Sequence, residues 1–237
     1  MKIPTLHGYI DRRILINYTA DPKVIQNLLP YPFRPKLQNG KAIVGICLIR
    51  LKNIRPKGLP QFIGVNSENA AHRFAIEWDE NGETKEGVYI PRRDTSSTVN
   101  AIAGGRVFPG KHNKAKFNVS EAGKHCALSF SSSDAAFMNL EASETNQFNS
   151  ESVFEDIETA SAFLKGGRIG YTPGNSGLDS VILDTYTWQV KPLHVTKVES
   201  SYFNDKNLFP EGSIKFDNAL VMHNIEHEWK INNNKSF

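Results

Sequence analysis

Turn residues punctuate this chain at short intervals, and the runs between them are rich in β-branched and aromatic residues. That spacing restricts the chain to antiparallel sheet architectures more tightly than its composition does. Asn39-Gly40, Glu80-Asn81-Gly82 and Glu121-Ala122-Gly123 carry the residues that tight hairpin turns demand. Around them the pattern predicts strands over residues 13–18, 41–54, 70–78, 86–90, 116–119, 125–130, 178–190 and 193–203, with a last apolar element over 219–229. Two helices interrupt the strands. Asp21 caps the first, with Pro22 at its opening position. Ser152-x-x-Glu155 reads as a capping box for the second, in which Val153, Ile157, Ala160 and Leu164 recur at helical spacing until Gly166-Gly167. Residues 137–150 read as a polar excursion. The expectation is a mainly β (α+β) fold, an antiparallel barrel with a few peripheral helices, forming one domain over residues 1–237.

Barrels of 237 residues are routinely single domains. With 39% hydrophobic and 22% charged residues the composition is that of a globular chain, and a formal charge of +3 spread along the sequence gives no nucleic-acid arm and no membrane-binding stripe. Cys47 and Cys126 stand far apart in apolar, strand-like contexts and read as inert core thiols. No apolar run reaches the length of a membrane span. These features predict a soluble, cytoplasmic protein without nucleic-acid or membrane partners, and leave a homo-oligomer open.

Three motifs suggest chemistry. Gly105 to Lys111 spells the G-x-x-x-x-G-K of a phosphate-binding loop, but His112 stands where a Ser or Thr hydroxyl should meet Mg²⁺ and a helix-like segment precedes it, so a turn with a solvated lysine is the better reading. His223-Asn-Ile-Glu226-His227 matches the H-x-x-E-H of inverted zinc proteases, which need both histidines on adjacent turns of a helix and a further carboxylate well downstream. Only Glu228 follows, so no metal is expected. Arg92, Arg93 and Asp94 end a strand where they could hold an anion, although a solvated strand end is preferred. Glu68 lies before the strand that carries His72 and Arg73, and alternation lets only one of the latter two face a barrel interior. A histidine satisfied within the core and one that touches a ligand are equally compatible with that position.

The order of segments resembles the acetoacetate-decarboxylase-like superfamily, in particular its YqjF-like branch of unknown function. The resemblance is carried by the opening strand and Asp21-Pro22 helix ending Asn27-Leu-Leu-Pro30, and by Gly40-Lys-Ala-Ile-Val-Gly45 and Ile54-Arg-Pro-Lys-Gly-Leu-Pro60. It continues through Glu68, the stretch 101–116 and Ala219 to Trp229. It implies a cone-like, mainly antiparallel β-barrel around an internal cavity. In the decarboxylases an A-I-A-x-G-R segment leads to a Y-P-K-K sequence whose first lysine forms a Schiff base. This chain has Ala101-Ile-Ala-Gly-Gly-Arg106 and then Phe108-Pro-Gly-Lys111, so Gly110 falls at the Schiff-base position and Lys111 at that of the helper lysine. The resemblance therefore implies a cavity that binds a small anionic or carbonyl-containing molecule through Glu68, His72, Arg106 and His112, with no cofactor. A divergent decarboxylase or other Schiff-base lyase using Lys111 is the alternative.

Overall fold

A computed structural model describes residues 4–103, 110–174 and 177–231. The elements run β1 (Leu6–Ala20), α1 (Pro22–Leu28), β2 (Arg34–Pro35), β3 (Leu37–Gln38), β4 (Lys41–Pro56), β5 (Val65–Glu80), β6 (Glu83–Thr95) and α2 (Thr98–Ala103). They continue with β7 (Asn113–Ala122), β8 (His125–Ser132), β9 (Phe137–Glu144), α3 (Ile157–Lys165), β10 (Ile169–Pro173), β11 (Leu178–Thr185), β12 (Lys191–Ser200) and β13 (Ile214–Ile231). No helix among them is long and apolar enough to cross a membrane.

The strands form one sheet in the order β11-β10-β6-β7-β8-β9-β12-β13-β1-β4-β5-β2, with β3 alongside β4. Two further pairings bend it back on itself. β5 with β6 closes a ring through β7, β8, β9 and β12, and β11 with β13 closes a smaller ring through β10. Both rings share the wall β6-β5-β4-β1-β13. Most pairings are antiparallel, as expected, but β10 with β6 and β6 with β7 are parallel.

The central part of a wall shared by two rings has no solvent face, which explains its sequence. Successive side chains of a strand point to opposite faces. Ile14 and Ile16 of β1 enter one core with Val44, Ile46, Phe74 and Leu128, while Leu15 enters a second core with Ile43, Cys47, Leu220 and Leu164. Burial on both faces replaces alternation by a continuous apolar run, as in residues 42–48. Gly45 permits the tightest contact in the wall: a Cβ there would lie 2.1 Å from the Ile16 carbonyl oxygen.

Local signals set the hairpins and α1. Asn81 and Gly82 turn β5 into β6 at positive φ, and Asp21 accepts a hydrogen bond from the Lys23 amide at the start of α1. The capping box is not formed. Asp156 caps α3 through the Thr159 amide, and the Ser152 hydroxyl instead donates to Asp217, so the helix starts later than its apolar spacing predicted. The polar stretch after Phe137 is β9, whose Met138, Leu140 and Ala142 alternate into the first core. β10 was not anticipated; five residues between glycines carry little pattern.

Burial holds His72 and His227 well below the ordinary histidine range, to about 3 and about 4 respectively, with the charge of Arg92 adding to the effect at His72. Their contribution to stability is fully present above the unfolded value of about 6.5 and is lost as pH falls, because the unfolded chain takes up the protons first. Urea unfolding between pH 7 and 4.5 should therefore show stability dropping by up to about 1.4 kcal/mol per pH unit for each histidine. His72→Gln should flatten that slope, and an unchanged slope would contradict the assignment.

Candidate functional site

Three arginines on neighbouring strands of the shared wall converge on one cysteine. Leu15, Cys47, Ala71 and Arg93 stand in register across β1, β4, β5 and β6, with Asn17, Gly45 and Arg73 one step along. Period-two alternation then places Arg13, Cys47 and Arg73 on the face that looks into the smaller ring. Arg93 joins them through an irregularity: His72 pairs with Arg92 but Phe74 with Tyr89, so two residues of β6, Ile90 and Pro91, lie opposite Arg73 alone. Such a bulge switches which side chains face the core. Val88, Ile90 and Arg93 thus share the inner face, while Arg92 turns outward to pair with Asp94 and Asp134. Arg93 is consequently part of an enclosed site, not of a solvated strand end.

The side chains line a cavity of about 80 Å³, together with Leu164 from the end of α3, Gly170 of β10, Val181 and Leu183 of β11, and Trp229 of β13. It adjoins an open cleft of about 540 Å³ whose rim carries Lys85, Lys165, Arg168 and Trp188, along with Glu86 and Asp184. The Arg13 guanidinium stacks 5.4 Å from the Trp188 ring centre.

The polar bonding is incomplete. Arg13 donates from Nε to Cys47 Sγ at 3.2 Å, and Arg73 donates from Nη2 to Asn17 Oδ1, while the Asn17 amide nitrogen donates to Asn218 Oδ1. Among the described residues, Arg13 Nη1, Arg73 Nε, and Arg93 Nε and Nη2 are buried with no hydrogen-bond partner, and no carboxylate forms an ion pair with any of the three. Burial pulls Arg73 and Arg93 down to about 10; nearby Cys47 opposes this at both, Arg13 reinforces it at Arg73, and Asp179 opposes it at Arg93. Arg73 and Arg93 remain cations at neutral pH. Buried donors of this kind are ordinarily satisfied, and an unpaired buried charge is costly, so four such N–H groups around a small cavity make it a candidate site for an anion.

The anticipated site residues separate. Glu68 bridges Arg12 at 2.7 Å and Arg50 at 2.6 Å, in a network that includes Glu121. His72 enters the first core and packs 4.4 Å from the Tyr202 ring, which leaves Arg73 as the member of the pair facing the cavity. Lys111 is exposed. His112 is half-buried close to Arg93; burial and that positive charge lower its pKa to about 4. Arg106 lies outside the described residues. Gly110 has φ +84, and a Cβ there would lie 2.5 Å from Thr172 Cγ2, so the position is closed to a side chain. No lysine lines the cavity among the described residues. His223 and His227 sit on strand β13, where Asn224 interrupts the alternation at positive φ. His223 is exposed and bonded to Glu144 while His227 is buried, so they do not share one ion as a helix would allow.

Sequence reading noticed Arg93 and Arg73 but could not join them to Arg13 and Cys47. Their registers and the β6 bulge are set by pairings between distant segments. The only local sign was a charge embedded in an apolar strand, at Arg13 and Arg73.

The fold matches that of acetoacetate-decarboxylase-like proteins. Acetoacetate decarboxylase from Legionella pneumophila subsp. pneumophila str. Philadelphia 1 superposes with a TM-score of 0.61 at 15% identity, over 96% of this chain and 86% of that one. An acetoacetate decarboxylase-like enzyme from Sphingomonas wittichii RW1 gives 0.54 at 9%, covering 98% and 91%. The enduracididine biosynthesis enzyme MppR, complexed with the condensation product of pyruvate and imidazole 4-carboxaldehyde, gives 0.57 at 11%, covering 98% and 88%. These likenesses establish the fold. The chain belongs to the DUF2071 family, "Uncharacterized conserved protein (COG2071)", whose sequence profile matches residues 10–222. No curated protein matches it in sequence.

The unpaired and paired arginines of β5 and β6 should respond to substitution with opposite signs. Arg73→Met removes an uncompensated buried charge and should raise the unfolding free energy by about 1–4 kcal/mol. Arg92→Met strands the fully buried Asp94 carboxylate and should lower it by about 3–5 kcal/mol. Equal destabilisation by both in denaturant titrations would show that Arg73 is internally compensated.

Proposed function

We propose that this chain binds a small carboxylate-bearing molecule in the cavity lined by Arg13, Arg73 and Arg93. The observation that carries the reading is the set of unpaired buried guanidinium N–H groups on these three residues. Carboxylates accept such groups through charge-assisted, often bidentate hydrogen bonds. The cavity is far smaller than the ~300–1,000 Å³ pockets of drug-sized ligands, which favours a compact acid of a few heavy atoms. A structure of MppR complexed with pyruvate, with a TM-score of 0.54 and 12% identity to this chain, gives one precedent for a small oxo acid bound by a protein of this fold. Free thiols at Cys47 and Cys126 suit a reducing cytoplasm.

Imine chemistry needs an amine inside a desolvated pocket. Lys111 is exposed, so binding through arginines is the better reading and decarboxylation of acetoacetate is not expected. Borohydride reduction in the presence of acetoacetate should leave the protein mass unchanged.

Calorimetry with oxalate, pyruvate and the uncharged methyl pyruvate tests the reading. Either anion at a hundredfold excess over its Kd should stabilise the fold by about 2.7 kcal/mol, and methyl pyruvate should not. Arg93→Met should retain the fold and bind oxalate at least tenfold more weakly, the loss of about 1.4 kcal/mol expected at minimum for one charged hydrogen bond. Absence of heat and of stabilisation with both anions would refute the proposal.

A further inference from the structure

We infer that Trp188 sets the size limit of the bound acid, by holding Arg13 in place as a partition between the small cavity and the open cleft beside it. The inference rests on the anion-binding reading above and names a specificity-determining residue for that same cavity.

Four residues line both spaces and so form the boundary between them: Arg13, Gly167, Arg168 and Leu183. Gly167 has no side chain and Arg168 is largely exposed, which leaves Arg13 as the long, buried side chain of that boundary. Its anchoring is unusual. Arg12, its neighbour on the opposite face of β1, is fixed by the carboxylates of Glu68 and Glu121. Arg13 has no carboxylate partner among the described residues; its Nε bonds to the Cys47 sulfur at 3.2 Å, and its guanidinium stacks on Trp188 at 5.4 Å. Trp188 lines the cleft and not the cavity, so the indole supports the partition from the cleft side. The ring is itself held: Nε1 donates to Ser161 Oγ of α3 at 2.9 Å, and the side chain packs against the second core.

This arrangement separates two volumes of very different size, about 80 Å³ within and about 540 Å³ outside. An acid of a few heavy atoms fits behind the partition and leaves it undisturbed. A longer substituent finds room in the cleft, and reaching it displaces Arg13 from Trp188. The donors on Arg73 and Arg93 are the same for either acid, so discrimination comes from the cost of that displacement and not from the head group. With the indole removed, its place is open to the Arg13 side chain, and movement of that side chain joins the two spaces. A single substitution outside the cavity lining then changes which acids the cavity accepts.

Calorimetry with pyruvate and benzoylformate, which share a 2-oxo carboxylate head and differ in a methyl against a phenyl group, reads the partition directly. Wild-type protein should bind benzoylformate about tenfold or more weakly than pyruvate, as expected when a larger group is forced into a packed space. Trp188→Ala should shrink that ratio to below about threefold, the discrimination left when the steric barrier is gone. Trp188→Leu, which keeps an apolar side chain against the second core, should shift the ratio in the same direction and serves where the alanine variant does not fold. Equal affinity for the two acids in the wild type, or a ratio unchanged in the folded variants, would overturn the role of Trp188 and leave the anion site standing. Failure of pyruvate and oxalate alike to bind the wild-type protein would overturn both readings.

Discussion

The shared wall of β6, β5, β4, β1 and β13 is the constraint from which the rest of the structure follows. A strand with both faces buried gives up solvent on both sides, so every polar side chain it carries must be satisfied inside the protein or reserved for a ligand. The wall's middle stretches are apolar, as in residues 42–48. Three groups among its polar residues have different fates. Arg12, Arg50 and Glu68 form ion pairs. Asn17 and Asn218 bond to each other across β1 and β13. Arg13, Arg73 and Arg93 are only partly satisfied, and these three share the small cavity.

The contrast between Arg92 and Arg93 shows how closely the two behaviours sit. These neighbours differ by the facing that the β6 bulge assigns them. Arg92 meets Asp94 at 2.6 Å and Asp134 at 2.7 Å, whereas Arg93 meets no carboxylate within ion-pair distance among the described residues. The same charge is thus structural on one face and available on the other. Buried unpaired cations reduce stability unless an anion compensates them, and a fold retains them at that cost where binding requires it.

Cys47 illustrates how position overrides residue type. A buried cysteine is usually a small apolar filler; Cys126 packs into the first core, where burial raises its pKa and the neighbouring Arg12 and Arg50 are paired with Glu68 and Glu121. Cys47 occupies an equivalent strand context in sequence, yet its register opposite Leu15 and Ala71 places its sulfur beside Arg13 and within the field of Arg73 and Arg93.

Turn signals, strand runs and the Asp21 cap were legible in the sequence because each depends on residues a few positions apart, and together they determined a mainly β chain built of hairpins. The resemblance in segment order pointed to the superfamily for the same reason, being a property of linear order. The facing of Arg73 opposite to His72 was also available from alternation. Closure into two rings was not, because it depends on β5 meeting β6 beyond their hairpin, on β11 meeting β13, and on a five-residue β10 with little pattern of its own. The site was hidden by the same physics. Arg13, Cys47, Arg73 and Arg93 are separated by 34, 26 and 20 positions, and only interstrand register and one bulge bring them around a common cavity.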